Sequence, residues 1–116
     1  MEHKEAVKLI TQWASEKKAE KLKIIDVKEK SDYTDTLIIC QSTASLHSKA
    51  IADHIMRLAK EHKLHILSYE GIENAQWILI DFSDIIVHIF LEEVAEYYKL
   101  EDLWKVKKQE DAELEK

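Results

Sequence analysis

Two apolar runs, 77–82 and 85–91, are separated only by Ser83 and Asp84, and this pairing constrains the chain more than any other feature. Two residues cannot carry a crossover, but they do close an antiparallel hairpin. With Ser83 and Asp84 as the loop, Phe82 faces Ile85. Pairing then runs outward through Asp81–Ile86, Ile80–Val87, Leu79–His88 and Ile78–Ile89 to Trp77–Phe90. Strand alternation sorts these side chains onto two faces. One face carries Ile78, Ile80, Phe82, Ile85, Val87 and Ile89; it is wholly apolar and belongs under helices. The other carries Trp77, Leu79, Asp81, Ile86, His88 and Phe90. That second face is aromatic and aliphatic, with one carboxylate and one imidazole.

The remaining elements follow from periodicity. Ala6, Val7, Ile10, Trp13 and Ala14 recur every three or four residues and predict a helix over about 2–18. Short β-branched runs predict strands at 22–27 and 35–41, joined by a polar loop. The serines and threonine of 42–45 offer N-caps for a second helix reaching about 63. Its stripe is Leu46, Ala50, Ile51, Ile55, Leu58 and Ala59. A third strand, 64–69, ends before Gly71, and a short helix over 92–98 follows the hairpin. The order α-β-β-α-β-β-β-α gives an α/β chain of the α+β type, a mixed five-stranded sheet with helices mainly on one face. The path from the second strand through the long helix to the third strand reads as a right-handed parallel crossover. Residues 1–104 form one domain. Residues 105–116, with four lysines and four acids, read as a charged, disordered tail.

Composition removes several classes of function. The 116 residues include one glycine and no proline, so glycine-rich phosphate loops are unavailable. The formal charge is −6 and the lysines are interleaved with acids, so a solvated mixed-charge surface is expected rather than a basic face for sequence-specific nucleic-acid binding. A basic protein is the more natural partner. Cys40 sits in the apolar run 37–40 and reads as a buried thiol in a reducing cytosol. No membrane-length apolar stretch occurs, and a cytoplasmic location is expected.

The chemical candidates thin out in the same way. His47 and His54 share one face of the long helix, and His62 and His65 lie near its end, without the converging third and fourth ligands that zinc requires. No metal or cofactor is expected. Acids pair as Asp32 with Asp35 and as Asp81 with Asp84. Metal-dependent nucleotidyl transfer instead wants acids one residue apart on a strand, after a glycine-serine loop. No Gly-x-Ser-x-Gly elbow is present. The rival reading is a minimal metal-dependent nucleotidyltransferase or hydrolase built on Asp81, Asp84 and His88. With only two long helices available, the second hairpin face reads as a protein interface. The competing possibility is that the C-terminal segment folds over it as a second core.

At this point the residues resemble a family. The run 35–40, Ser42-Thr43 and 47–53 resemble the central signature of the ribosomal silencing factor (Iojap) family. Glu70-Gly71, 77–82, Asp84 and 87–90 resemble its second half. Glu93-Val94, Tyr97-Tyr98, Leu100-Glu101 and Leu103-Trp104 resemble its closing segment. The likeness spans about 5–104 in the right order. It implies a fold related to nucleotidyltransferases that lacks their catalytic residues, and so no enzyme. It also implies binding to ribosomal protein L-fourteen on the large subunit. The bound factor would block joining with the small subunit and repress translation when nutrients are short, and the free protein would form a homodimer. The expected partner-binding set is Trp77, Leu79, Asp81, His88, Phe90, Tyr98, Leu100 and Trp104. The chain departs from the family pattern at Gln41 and Ala75, where glycine is common, and at Leu46, where arginine is common. It also departs at Gln76, where an acid is usual, and at Leu91-Glu92, where the usual pair is His-Pro.

Overall fold

In the computed structural model, which describes residues 2–29 and 34–98, the hairpin forms in the register its loop dictates. The elements in chain order are α1 (His3–Glu16), β1 (Glu20–Asp26), β2 (Thr36–Ser42), α2 (Ser45–Glu61), β3 (Ser68–Glu70), β4 (Trp77–Asp81), β5 (Ile85–Leu91) and α3 (Glu92–Tyr98). Trp77 pairs with Phe90, and Ile80 with Val87. Phe82 N–H donates to the Ile85 carbonyl at 2.8 Å, closing the loop. The Asp81 carboxylate accepts the Ser83 N–H at 2.7 Å, which supports Ser83 at a positive φ of 81°.

The five strands form one sheet in the order β1-β2-β5-β4-β3. Only β2 and β5 pair in parallel; the other neighbours are antiparallel. These two central strands are buried on both faces over most of their length, which is why they read as unbroken apolar runs. The crossover through α2 does end on a strand parallel to β2. That strand lies at the far edge, because β5 takes the place beside β2.

Helices α1 and α2 cover one face. Ile10, Trp13, Ile51 and Ile55 pack there against Ile38, Ile78, Ile80, Val87 and Ile89 in a single cluster. The face assigned to helices in the hairpin is the one they cover. The stripe of α2 differs in detail: Ile51, Ala52, Ile55 and Ala59 are buried with Ser48, whereas Leu46 is 80% exposed. Ala44 occupies the N-cap without a side-chain hydrogen bond, so none of the expected serine or threonine caps is used. Strand β3 is shorter than expected and wholly exposed. Leu64 N–H is drawn back to the Ala59 carbonyl at 2.8 Å to close α2, which delays the start of the ladder.

The second face is also cored, though only in part. Val27, Leu37, Ile39, Ile86, Phe90 and Ala95 form a smaller cluster, with Leu79 and Val94 packed against it. Helix α3 therefore folds over the β5 half of this face. Leu100, Trp104 and the expected tail from 105 to 116 lie outside the described residues. No described helix is long and apolar enough to cross a membrane.

Both long helices end alike. Ala19 N–H bonds to the Ala14 carbonyl and Lys18 N–H to that of Ser15; Leu64 bonds to Ala59 and Lys63 to Lys60. These are paired C-terminal closures that place one residue in the left-handed region, usually glycine. Here lysines fill it, with φ of 61° at Lys18 and 58° at Lys63. Gly71, at φ +84°, has the opposite need: a Cβ there would overlap the Trp77 carbonyl. Urea denaturation should therefore separate two variants by sign. Lys63→Gly should stabilise by roughly 0.5–1 kcal/mol by relieving the left-handed strain. Gly71→Ala should cost about 2 kcal/mol or more.

Candidate protein-binding face

Trp77 opens β4 and points away from the α1/α2 layer, at 36% exposure. Its ring stacks on Phe90 with centroids 4.8 Å apart and planes at 27°. Its indole N–H donates to His88 Nδ1 at 3.0 Å. That bond makes Nδ1 an acceptor, so the ring proton sits on Nε2 when the imidazole is neutral. One large aromatic is thus exposed on one side and held from behind by two ring contacts and a hydrogen bond. Along the same strand, Leu79 and Asp81 are half-buried.

The expected set divides accordingly. Trp77, Leu79 and Asp81 share one solvent-reached face of β4. Phe90 and His88 belong to that face by register but are 0% and 2% exposed, because β5 is the inner strand and Phe90 packs with Ala95 of α3. Both are buried in the chain alone, and what they do there is hold Trp77. Tyr98 closes α3. Leu100 and Trp104 lie outside the described residues. Exposed apolar residues that were missed include Ile24 on β1, at 52%, and Leu67 and Tyr69, at 60% and 58%. Tyr69 pairs with Ile80 and so lies on the helix side of the sheet, beyond the cover of α2. Nothing local in the sequence marks where a helix stops covering an edge strand.

The rival catalytic trio is not assembled. Asp81 is bonded to the Ser83 N–H, Asp84 to His3, and His88 to Trp77. The acids regroup across the fold: Asp84 and Asp35, one from each sequence pair, meet beside His3 with candidate ligand atoms within 4.8 Å of one another. Other histidines have structural tasks. His47 accepts the Thr43 N–H and donates to the Lys17 carbonyl at 2.8 Å, tying α2 to the end of α1. His54 donates to Glu16 at 2.8 Å; this bond is the main reason the Glu16 carboxyl is held below its usual range. Cys40 is fully buried, and desolvation pushes its thiol up to about 12.

Comparison with known proteins agrees with this architecture. The profile of a family described as "Ribosomal silencing factor during starvation" matches residues 1–116. The ribosomal silencing factor of Halalkalibacterium halodurans is 35% identical over 104 residues, spanning 90% of this chain and 89% of that protein. A mouse protein named "mitochondrial assembly of ribosomal large subunit protein 1" is 30% identical over 91 residues, covering 76% of this chain and 40% of its own length. A crystal structure of a Chromobacterium violaceum protein superposes with a TM-score of 0.86 at 28% identity, covering 90% of this chain and 88% of the other.

The state of Cys40 can be checked directly. Only the thiolate reacts with thiol reagents, so the native protein at pH 8 should label no faster than it unfolds, while denatured protein labels at once. Rapid native labelling would show an accessible thiol.

Proposed function

This chain belongs to the ribosomal silencing factor family, and from that premise we propose that it docks on the large ribosomal subunit and represses translation by keeping the small subunit away. Its contact is ribosomal protein L-fourteen, and it acts in the cytoplasm when nutrients are short. The observation that carries the reading is Trp77, a large aromatic left exposed yet held by Phe90 and His88. Tryptophan is among the residues that dominate protein interfaces when desolvated. Half-exposed Leu79 extends the apolar strip, and the Asp81 carboxylate beside it suits a basic group. The formal charge of −6 favours encounter with a basic ribosomal protein. Tyr98, Leu100 and Trp104 of the closing segment complete the proposed contact set.

The protein acts by occupancy rather than catalysis. The dispersal of Asp81, Asp84 and His88 among three different partners supports this. Away from the ribosome the chain forms a homodimer. Family membership implies that state, and the open edge of β3 with exposed Leu67 and Tyr69 is compatible with it.

Sedimentation with purified large subunits tests the docking face. Truncating a true anchor costs about 2 kcal/mol or more, roughly thirtyfold in affinity. Trp77→Ala should weaken binding by at least that much while keeping its circular dichroism and melting profile. Glu113→Ala should change it little. Normal binding by a well-folded Trp77→Ala protein would move the site elsewhere.

Order of addition tests the mechanism. Added before subunit association, the protein should lower the yield of intact ribosomes; added to preformed translating ribosomes, it should do much less. Equal inhibition in both orders would rule out steric blocking.

A further inference from the structure

Away from the proposed docking face, three elements converge at the start of the chain. His3 opens α1, Asp35 immediately precedes β2, and Asp84 closes the β4–β5 loop. Each offers one imidazole nitrogen or carboxylate oxygen, and these atoms all lie within 4.8 Å of one another. The backbone fixes the juxtaposition, because the N–H groups of Asp35 and Thr36 both donate to the Asp84 carbonyl, at 3.0 and 3.1 Å.

The imidazole is held as a ligand would be. His3 Nε2 is hydrogen-bonded to Thr36 Oγ1 at 2.8 Å, and Thr36 is itself buried. A metal-bound histidine characteristically uses its second nitrogen in this way, which sets ring orientation and tautomer. When Nε2–H donates to Thr36, Nδ1 turns a lone pair towards Asp84 Oδ2, 3.0 Å away. That tautomer makes Nδ1 available to a metal ion; without an ion the other tautomer meets the same distances, Nδ1–H donating to Asp84 and the Thr36 hydroxyl donating to Nε2.

The spacing suits an ion. Ligand bonds of about 2.0–2.2 Å place neighbouring donors about 3–3.5 Å apart. The His3–Asp84 edge, at 3.0 Å, is already near that, and the third donor, on Asp35, lies within 4.8 Å of both and would close on the ion by side-chain rotation. The cluster borders a cleft of about 490 Å³ that Lys4, Val7, Ile24, Asp26 and Lys28 also line, which gives an ion a way in. Two carboxylates offset the divalent charge. Asp26 adds a third nearby, and Lys4 and Lys28 oppose it.

We propose that His3, Asp35 and Asp84 form a binding site for one divalent ion of the zinc class, with water completing the coordination. One nitrogen and two oxygens suit zinc, cobalt or manganese better than magnesium, which keeps more of its water and prefers oxygen donors. The ion would tie the first turn of α1 to the edge of β2 and the hairpin loop. It is chemically separate from the docking face.

The test is calorimetric titration of the whole chain with zinc chloride, alongside cobalt(II) titration followed by visible absorption. Wild-type protein should take up one equivalent saturably and melt at a higher temperature when loaded. His3→Ala and Asp84→Asn should each weaken binding at least tenfold while retaining the native circular dichroism. His65→Ala, an exposed histidine outside the cluster, should bind as wild type. Should Asp84→Asn disturb the loop, His3→Gln carries the same test at an independent ligand, and the His3 ring resonances should move on zinc addition in the unmutated protein. Absence of saturable binding at millimolar zinc would overturn the proposal. So would an unchanged isotherm in both His3 and Asp84 variants.

Discussion

The parallel ladder between β2 and β5 is the constraint on which the other elements depend. A parallel pair cannot be joined by a tight turn. The chain between the two strands must therefore leave the sheet, and it does so through α2, returning by way of β3 and β4. Placing β5 beside β2 makes both strands central and buries both their faces, so each face needs cover. Helices α1 and α2 supply it on one side. On the other, α3 begins directly after β5, with no intervening loop, and packs Ala95 against Phe90. Strands β1 and β3 are left at the edges. β1 carries an irregularity in its register between Glu20 and Lys23, and β3 is three residues long and exposed, two ways in which proteins blunt an open edge.

The parts that were legible in the sequence are those fixed by short-range geometry. A two-residue loop leaves one register for the hairpin, and alternation then assigns every side chain from Trp77 to Phe90 to a face. Helical spacing found α1 and α2 for the same reason. What the sequence left open was long-range. Nothing near residues 36–42 announces that their partner lies some fifty positions later rather than at the third strand. The outer face shows the limit most clearly. The second-core reading holds for half of it, where Ile86 and Phe90 cluster with Ala95 of α3, while Trp77, Leu79 and Asp81 remain reachable. Composition could not divide the face, because the division depends on where a seven-residue helix lies. The His3–Asp35–Asp84 cluster was illegible for the same reason, since its members are brought together only by the sheet.

Scarcity of glycine shapes the turns. The chain visits positive φ at Lys18, Lys21, Lys63, Ala75 and Ser83 as well as at Gly71. Ala75 stands where the family commonly has glycine, and its φ of 58° explains that preference, because the left-handed conformation costs an alanine about 1 kcal/mol. Its N–H bonds to the Gly71 carbonyl at 2.8 Å, and its methyl is fully buried in the main core, which offsets part of the strain. Leu46, where arginine is common, is almost fully solvated. That position faces water, so the exchange leaves the fold intact.

The clamp behind Trp77 has an entropic consequence. A free surface tryptophan samples several rotamers, and a partner that captures it must freeze them, at about 0.5–1.5 kcal/mol for a mobile side chain. Here the stacking on Phe90 and the bond to His88 select the rotamer as the protein folds, before any partner arrives. The side chain's ordering is thereby charged to the stability of the domain rather than to association. On the proposed docking face, changes at buried Phe90 or His88 would therefore act on affinity by loosening that one ring.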